Sequence, residues 1–155
     1  MKKILLIAAM ALTMALGARA EAKDFSVGAQ FSWATKHSLA GLGAQVQYEP
    51  VRNFRLAPEF NYYFKNDGLS ASNFNFNLQY VIPTSTTFAI YPLAGFAYSH
   101  FKFDGGISDD RCGANVGIGS EYRIKDNLHF YIEERFQIIE DFNQSVTQFG
   151  LKYTF

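Results

Sequence analysis

One cysteine, Cys112, occurs in 155 residues, so no disulfide can form within the chain. A redox pair or a thiolate metal site is excluded on the same ground, and Cys112 reads as a small apolar side chain. An excess charge of one sign is also missing, because 14 basic residues balance 14 acidic ones, which offers nucleic acid no basic surface. Sustained 3.6-residue apolar periodicity is absent after Ala20, which removes an α-helical core. Long apolar runs are confined to one place, from Ile4 to Leu16.

That run follows Lys2 and Lys3 and precedes Ala18-Arg19-Ala20, the layout of a secretory signal peptide with small residues at its cut. It is too short to anchor the chain, since a spanning helix needs roughly 20 apolar residues. The expected organisation is a signal peptide over 1–20 and one domain over 21–155. The residue directly after the cut is Glu21 and not cysteine, so a lipid-modified N-terminus is not expected. Loss of Lys2, Lys3 and Arg19 leaves an acid excess, which again argues against nucleic acid.

What is abundant is aromatic residues, with 16 Phe and 9 Tyr, far too many for a disordered chain. They recur with period two, as in half-buried strands. Eight such segments can be read: Asp24 to Thr35, Gly41 to Glu49, Phe54 to Lys65, Asn73 to Ile82, Thr87 to Tyr98, Gly113 to Arg123, Leu128 to Gln137 and Gln148 to Phe155. Tight turns are expected at Pro50–Asn53, Pro83–Ser85 and Ile124–Asn127. The alternate connections read as longer loops, the largest from Lys102 to Asp110. Short turns at one end and longer loops at the other are the plan of an outer-membrane barrel. The fold class is therefore all-β, an eight-stranded antiparallel up-and-down transmembrane β-barrel, and the location the bacterial outer membrane.

Alternation alone leaves open whether the apolar faces meet lipid or line a soluble, lipocalin-like barrel. The polar faces favour lipid outside. They carry Gly, Ser, Asn and Gln with charges of both signs rather than the scattered Lys, Glu and Asp of a water-exposed surface. Glu49, Arg55, Glu59, Glu121, Arg123, Glu133, Arg135 and Lys152 are the candidates for a polar network filling the lumen, since eight strands enclose just enough room for side chains. The apolar faces place aromatics near both ends, including Tyr48, Tyr80, Tyr122 and Tyr153 at one and Trp33, Tyr62 and Tyr98 at the other, as membrane interfaces favour. Glu134 resists this pattern as a carboxylate on the lipid face. Pro58 and Pro92 resist it as prolines inside strands without a free edge, and local bulges are one way to seat all three.

Leu151-Lys152-Tyr153-Thr154-Phe155 and Phe130-Tyr131-Ile132-Glu133-Glu134-Arg135-Phe136 carry a resemblance over Phe25 to Phe155 to the small outer-membrane proteins of the OmpX, Ail and OmpA-barrel type. In that family the terminal Leu151, Tyr153 and Phe155 resemble the signal read by the barrel-assembly machinery, and Glu133 and Arg135 resemble residues that point inward. The resemblance implies outer-membrane lipid and lipopolysaccharide as surroundings, a monomer, no cofactor, and a structural envelope role with surface binding through extracellular loops, the ligand unspecified. Lipid A modification and a minor pore are the alternatives. Chemistry on lipid A would need a nucleophile beside a base. His37-Ser38, Ser99-His100 and His129 show no such constellation. Asp104, Asp109 and Asp110 match no calcium-loop spacing, and the Gly41-Leu42-Gly43 and Gly117-Ile118-Gly119 pairs lack the strand-to-helix setting of a nucleotide loop.

Overall fold

The computed structural model describes residues 25–155, which form eight long strands and no helix. These are β1 (Phe25–Ala34), β2 (Leu39–Val51), β3 (Phe54–Asn66), β4 (Leu69–Tyr80), β5 (Phe88–Phe103), β6 (Ser108–Arg123), β7 (Leu128–Ile139) and β8 (Gln144–Thr154). Each pairs antiparallel with its sequence neighbours, and β1 pairs with β8 through Val27↔Tyr153 and Phe31↔Phe149. The sheet thus closes on itself and presents no unpaired edge. The expected signal peptide and its cleavage point lie outside the described residues.

The period of two decides which side chains enter the lumen. On β4, Asn75, Asn77 and Gln79 are at most 1 % exposed, whereas Phe76, Leu78 and Tyr80 between them are exposed. The same inversion runs around the barrel. Phe130, Ile132 and Phe136 on β7 and Phe149, Leu151 and Tyr153 on β8 face outward, while Tyr131, Glu133, Arg135, Gln148 and Lys152 are buried. Apolar exposure of this extent belongs in lipid, so the soluble alternative falls.

The longer loops read from the sequence are not present among the described residues. Lys102 and Phe103 continue β5, and Ser108 to Asp110 begin β6 in register with it (Lys102↔Ser108, Phe101↔Asp109), leaving a turn of Asp104 to Ile107. β3 and β4 are joined by Asp67 and Gly68, both at positive φ (48° and 78°), as a two-residue hairpin requires. The physical reason is that a ladder already established in the membrane can be prolonged into water without an apolar face. Polar residues beyond the aromatic band are therefore strand as readily as loop.

Neither in-strand proline needs a bulge. Pro58 keeps register with Phe76 on β4, and the ladder to β2 merely lapses between Gln45↔Glu59 and Tyr48↔Leu56. Pro92 likewise pairs with Ile118 on β6 while the ladder to β4 lapses between Gln79↔Leu93 and the short Ile82↔Ile90 extension. In both places the side without the donor N–H is the side where pairing stops, as proline chemistry demands. The Val81 N–H donates to the carbonyl of Asn53 at 2.7 Å, which continues the β3–β4 ladder past Tyr80. Glu134 is also in register, with Ile118 and Thr147 beside it.

Candidate functional site in the barrel interior and at its outer rim

Across the middle of the lumen, β3, β7 and β8 bring Glu59, Glu133, Arg135 and Gln148 together. The Arg135 guanidinium forms an ion pair with Glu59, reaches Glu133 at 3.4 Å and donates to Gln148 Oε1 at 2.8 Å. Gln148 Nε2 donates in turn to Glu59 Oε2 at 3.1 Å and Glu133 Oε1 at 3.2 Å. Asn61 and Asn75 each donate an amide N–H to Glu59 Oε1 at 2.9 and 2.8 Å, and the Tyr91 hydroxyl donates to Glu133 Oε2 at 3.2 Å. Burial of charge is costly unless each ion is paired and hydrogen-bonded, and the inward Asn and Gln residues supply those bonds. Small inward residues make the room: a Cβ on Gly119 would run into the Tyr91 ring, and one on Gly150 would lie 2.8 Å from the Tyr131 hydroxyl oxygen.

Toward the end of the barrel that holds Phe25 and Phe155, the periplasmic end in the outer-membrane plan, a second cluster forms. Arg55 grips Glu121 with both terminal nitrogens, at 3.0 and 3.3 Å, the bidentate geometry in which a guanidinium binds a carboxylate most strongly. The Lys152 ammonium also donates to Glu121, and to Gln47 Oε1 at 2.9 Å.

The outer end is different in kind. There the inward positions are apolar: Ala34, Leu39, Leu69, Ala71, Phe101 and Val146 pack into one buried cluster, with Tyr63 beneath and Phe103 and Phe142 against it. The Phe142 ring stacks on Phe101 with centroids 4.6 Å apart. Lys36 and Arg111 lie over its ring at 4.7 and 4.8 Å. Arg111 also donates to the Glu140 carbonyl and to Asp109, each at 2.6 Å. An apolar plug, with two cations over the Phe142 ring, fills the outer end of the lumen.

At the rim, three strands align outward-facing polar residues: Ser72 of β4 lies opposite His100 of β5, which lies opposite Asp110 of β6. His100 Nδ1 is paired with the Asp110 carboxylate. The hydrogen bond from His100 holds that carboxyl below its usual range, and one from Tyr98 adds to the effect. Ser99, the sequence neighbour of His100, faces the lumen and accepts from Asn73 at 2.6 Å. A Ser99–His100 nucleophile and base pair is therefore ruled out by strand alternation. No hydrogen bond joins Ser72 to His100 among the described residues.

Of the eight charged residues expected in the lumen, Arg55, Glu59, Glu121, Glu133, Arg135 and Lys152 interlock as described. Glu49 and Arg123 do not join them. Glu49 is half-buried at the periplasmic turn, where its Oε1 accepts the Asn53 N–H at 2.8 Å, and Arg123 is exposed at the periplasmic rim. Both lie where their strands leave the barrel, so the inward parity leads to the mouth and not to the interior. Leu151, Tyr153 and Phe155 are exposed on the outer wall, with the Tyr153 and Phe155 rings edge to face at 5.2 Å. Glu134 is exposed on the same wall, its oxygens accepting from Ser145 Oγ at 2.8 Å and from Thr147 Oγ1. The sequence reading missed the plug. Its signal was present in the inward parity of Ala34, Leu39, Leu69, Ala71, Phe101 and Val146, all apolar where that face is elsewhere mostly polar.

A family model described as "Outer membrane protein beta-barrel domain" matches residues 4–155. No curated protein matches the chain. Among solved structures the chain is similar to the N-terminal β-barrel domain of Pseudomonas aeruginosa OprF, at 18% identity over 85% of this chain and 97% of that one, with a TM-score of 0.72. It is similar to the outer membrane protein OprG of the same organism, at 15% identity over 86% and 96% with a TM-score of 0.65. It also resembles Ail, the attachment invasion locus protein of Yersinia pestis, at 16% identity over 85% and 97% with a TM-score of 0.60.

Proposed function

The chain belongs to the outer-membrane protein β-barrel family and is located in the bacterial outer membrane, and from that premise we propose that it serves the envelope without catalysing a reaction. In this reading the barrel is a rigid, closed stand, and surface recognition falls to its extracellular hairpin tips. The observation that carries the reading is the closed interior, with ion pairs across the middle and an apolar plug under Phe142. A lumen filled in this way favours a structural element over a diffusion pore. Ser99 faces the lumen while His100 pairs with Asp110 on the outer face, which counts against that pair as nucleophile and base.

Lipid is the proposed partner of the outward aromatic bands, and lipopolysaccharide headgroups of the polar residues above them. Leu151, Tyr153 and Phe155 are proposed as the contact with the barrel-assembly machinery during insertion. With hairpins only a few residues long, recognition is confined to a small rigid rim rather than a broad adhesive surface.

The test is fractionation with heat-modifiable gel mobility, followed by mutation of the tips. The expected protein fractionates with the outer membrane and shifts on boiling. Replacement of the tip residues Asp104 to Ile107 by Gly-Ser should leave the shift intact while lowering adhesion of cells to a coated surface. Hydrolysis of lipid A acyl chains by the purified barrel would refute the non-enzymatic reading.

A further inference from the structure

The lower end of the lumen opens toward the periplasm as a cavity of about 260 Å³. Its floor is the cluster of Arg55, Glu121 and Lys152, in which two buried cations share one carboxylate. The central cluster has the opposite imbalance, with one cation, Arg135, between Glu59 and Glu133. The interior as a whole is therefore balanced but polarised, positive below and negative in the middle. The floor, with two cations to one carboxylate, is the more favourable of the two places for an anion.

We propose that this vestibule is a binding site for a small organic carboxylate arriving from the periplasm. Its charged group would be received by Arg55 and Lys152. Lys152 carries three donors and spends two of them, on Glu121 and Gln47, and Arg55 spends only its terminal nitrogens on Glu121 and Gln79. The cavity also suits an apolar body, since Val81 and Ala89 line it, Ala89 directly beside Glu121, and both belong to a buried apolar cluster with Tyr91 and Leu93. Pockets for drug-sized ligands start at about 300 Å³, so the occupant is smaller than that class. Arg123, His129, Glu49 and Asp126 also line the cavity. These charges are more accessible to water and salt, which weakens their hold on a ligand.

The site faces away from the extracellular tips, so it stands or falls independently of the envelope reading. The experiment is a nuclear magnetic resonance titration of the folded chain in lipid nanodiscs with three probes. Benzoate supplies charge and apolar body, benzamide the body alone, and inorganic phosphate the charge alone. Benzoate should give saturable shifts at the amides of Glu121, Lys152 and Thr87, with benzamide and phosphate each at least about tenfold weaker. Lys152→Gln should abolish the benzoate response, and Arg123→Gln should weaken it by about threefold or less, as a screened charge does. An equal response to benzamide, an equal response to phosphate, shifts mapping elsewhere, or an unchanged response in folded Lys152→Gln would each overturn the proposal. If Lys152→Gln fails to fold, the ranking of the three probes on the unaltered chain decides.

Discussion

The middle of the lumen and its outer end are filled by opposite chemistry, although both are lined by the same inward-facing parity of the same eight strands. In the middle, Arg135, Glu59 and Glu133 are held by directional bonds to Gln148, Asn61, Asn75 and Tyr91. At the outer end, Phe101, Phe142, Leu69 and their neighbours are held by apolar contact, with Lys36 and Arg111 over the Phe142 ring. The difference shows two ways of closing a barrel. A charged network tolerates no missing member, because each deletion strands a partner in a buried place. An apolar plug loses only the contacts of the atoms removed.

The sharpest way to break the comparison is Arg135→Met. It leaves Glu59 and Glu133 buried without a cation, and loss of one partner of a buried pair costs roughly 3–5 kcal/mol. Urea unfolding in lipid vesicles, read by gel mobility, should show that loss. The companion replacement of all three, Glu59→Gln with Glu133→Gln and Arg135→Met, should recover most of it, since neutral groups of similar shape remove the stranded charges. A triple variant as unstable as Arg135→Met would show that the three residues matter for packing and not for charge balance.

The matching change in the plug is Phe142→Ala. A buried Phe→Ala change costs about 3–5 kcal/mol, and for the half-buried Phe142 we expect about 2 kcal/mol on the same scale. Its second signature separates the two regions. Unclamping the outer mouth should raise ion conductance in planar bilayers while the central pairs stay intact. Conductance equal to that of the unaltered chain would mean that the barrier lies at Arg135 and not at the plug.

A smaller effect is expected on the outer wall. Glu134 sits in the middle of β7 among lipid-facing residues, and the hydroxyls of Ser145 and Thr147 take the place of water around it. Lipid-facing Lys or Arg at the bilayer midplane costs ~2–4 kcal/mol and an acidic residue less, and here two hydroxyls offset part of that. Glu134→Leu should therefore stabilise the barrel by about 1 kcal/mol in the same unfolding assay. Destabilisation would give the carboxylate a structural task through Ser145 and Thr147.

How far these features were legible in the sequence follows from what period two records. It records faces, so the strand count, the outward Phe76, Leu78 and Phe149 and the inward Arg135 and Glu133 can be read directly. It does not record height. Glu49 and Arg123 share inward parity with Glu121, yet they lie at the mouth, because parity is the same at both ends of a strand. The strand ends were illegible for a related reason. Lys102 and Ser108 to Asp110 look like loop by composition, and only pairing across the hairpin makes them strand. Partners across the barrel, such as Arg135 with Glu59, are set by strand tilt and closure, which no local pattern contains.

The smallest expected effect lies at the rim and tests whether Asp110 belongs with the network or with the surface. A hydrogen bond from His100 holds the Asp110 carboxyl below its ordinary value near 3.8, a bond from Tyr98 helps, and desolvation opposes both. A lowered carboxylate pKa in the folded state means that its stabilising contribution is present above about pH 4, where the unfolded chain is ionised, and is lost as pH falls through the lower folded value. Because Asp110 is exposed, screening keeps the contribution small, and acid should loosen the β5–β6 hairpin locally while the barrel remains folded. The measurement is a carboxyl carbon titration of Asp110 in nanodiscs beside Asp110→Asn. The expected course is a midpoint below 3.8, with shifts confined to Tyr98, His100 and Cys112. A midpoint at or above that value would mean that His100 does not hold the carboxylate in the membrane-embedded protein. Shifts reaching Arg135 would mean that rim and centre form one network, and the contrast between a local surface and an all-or-none interior would then fail.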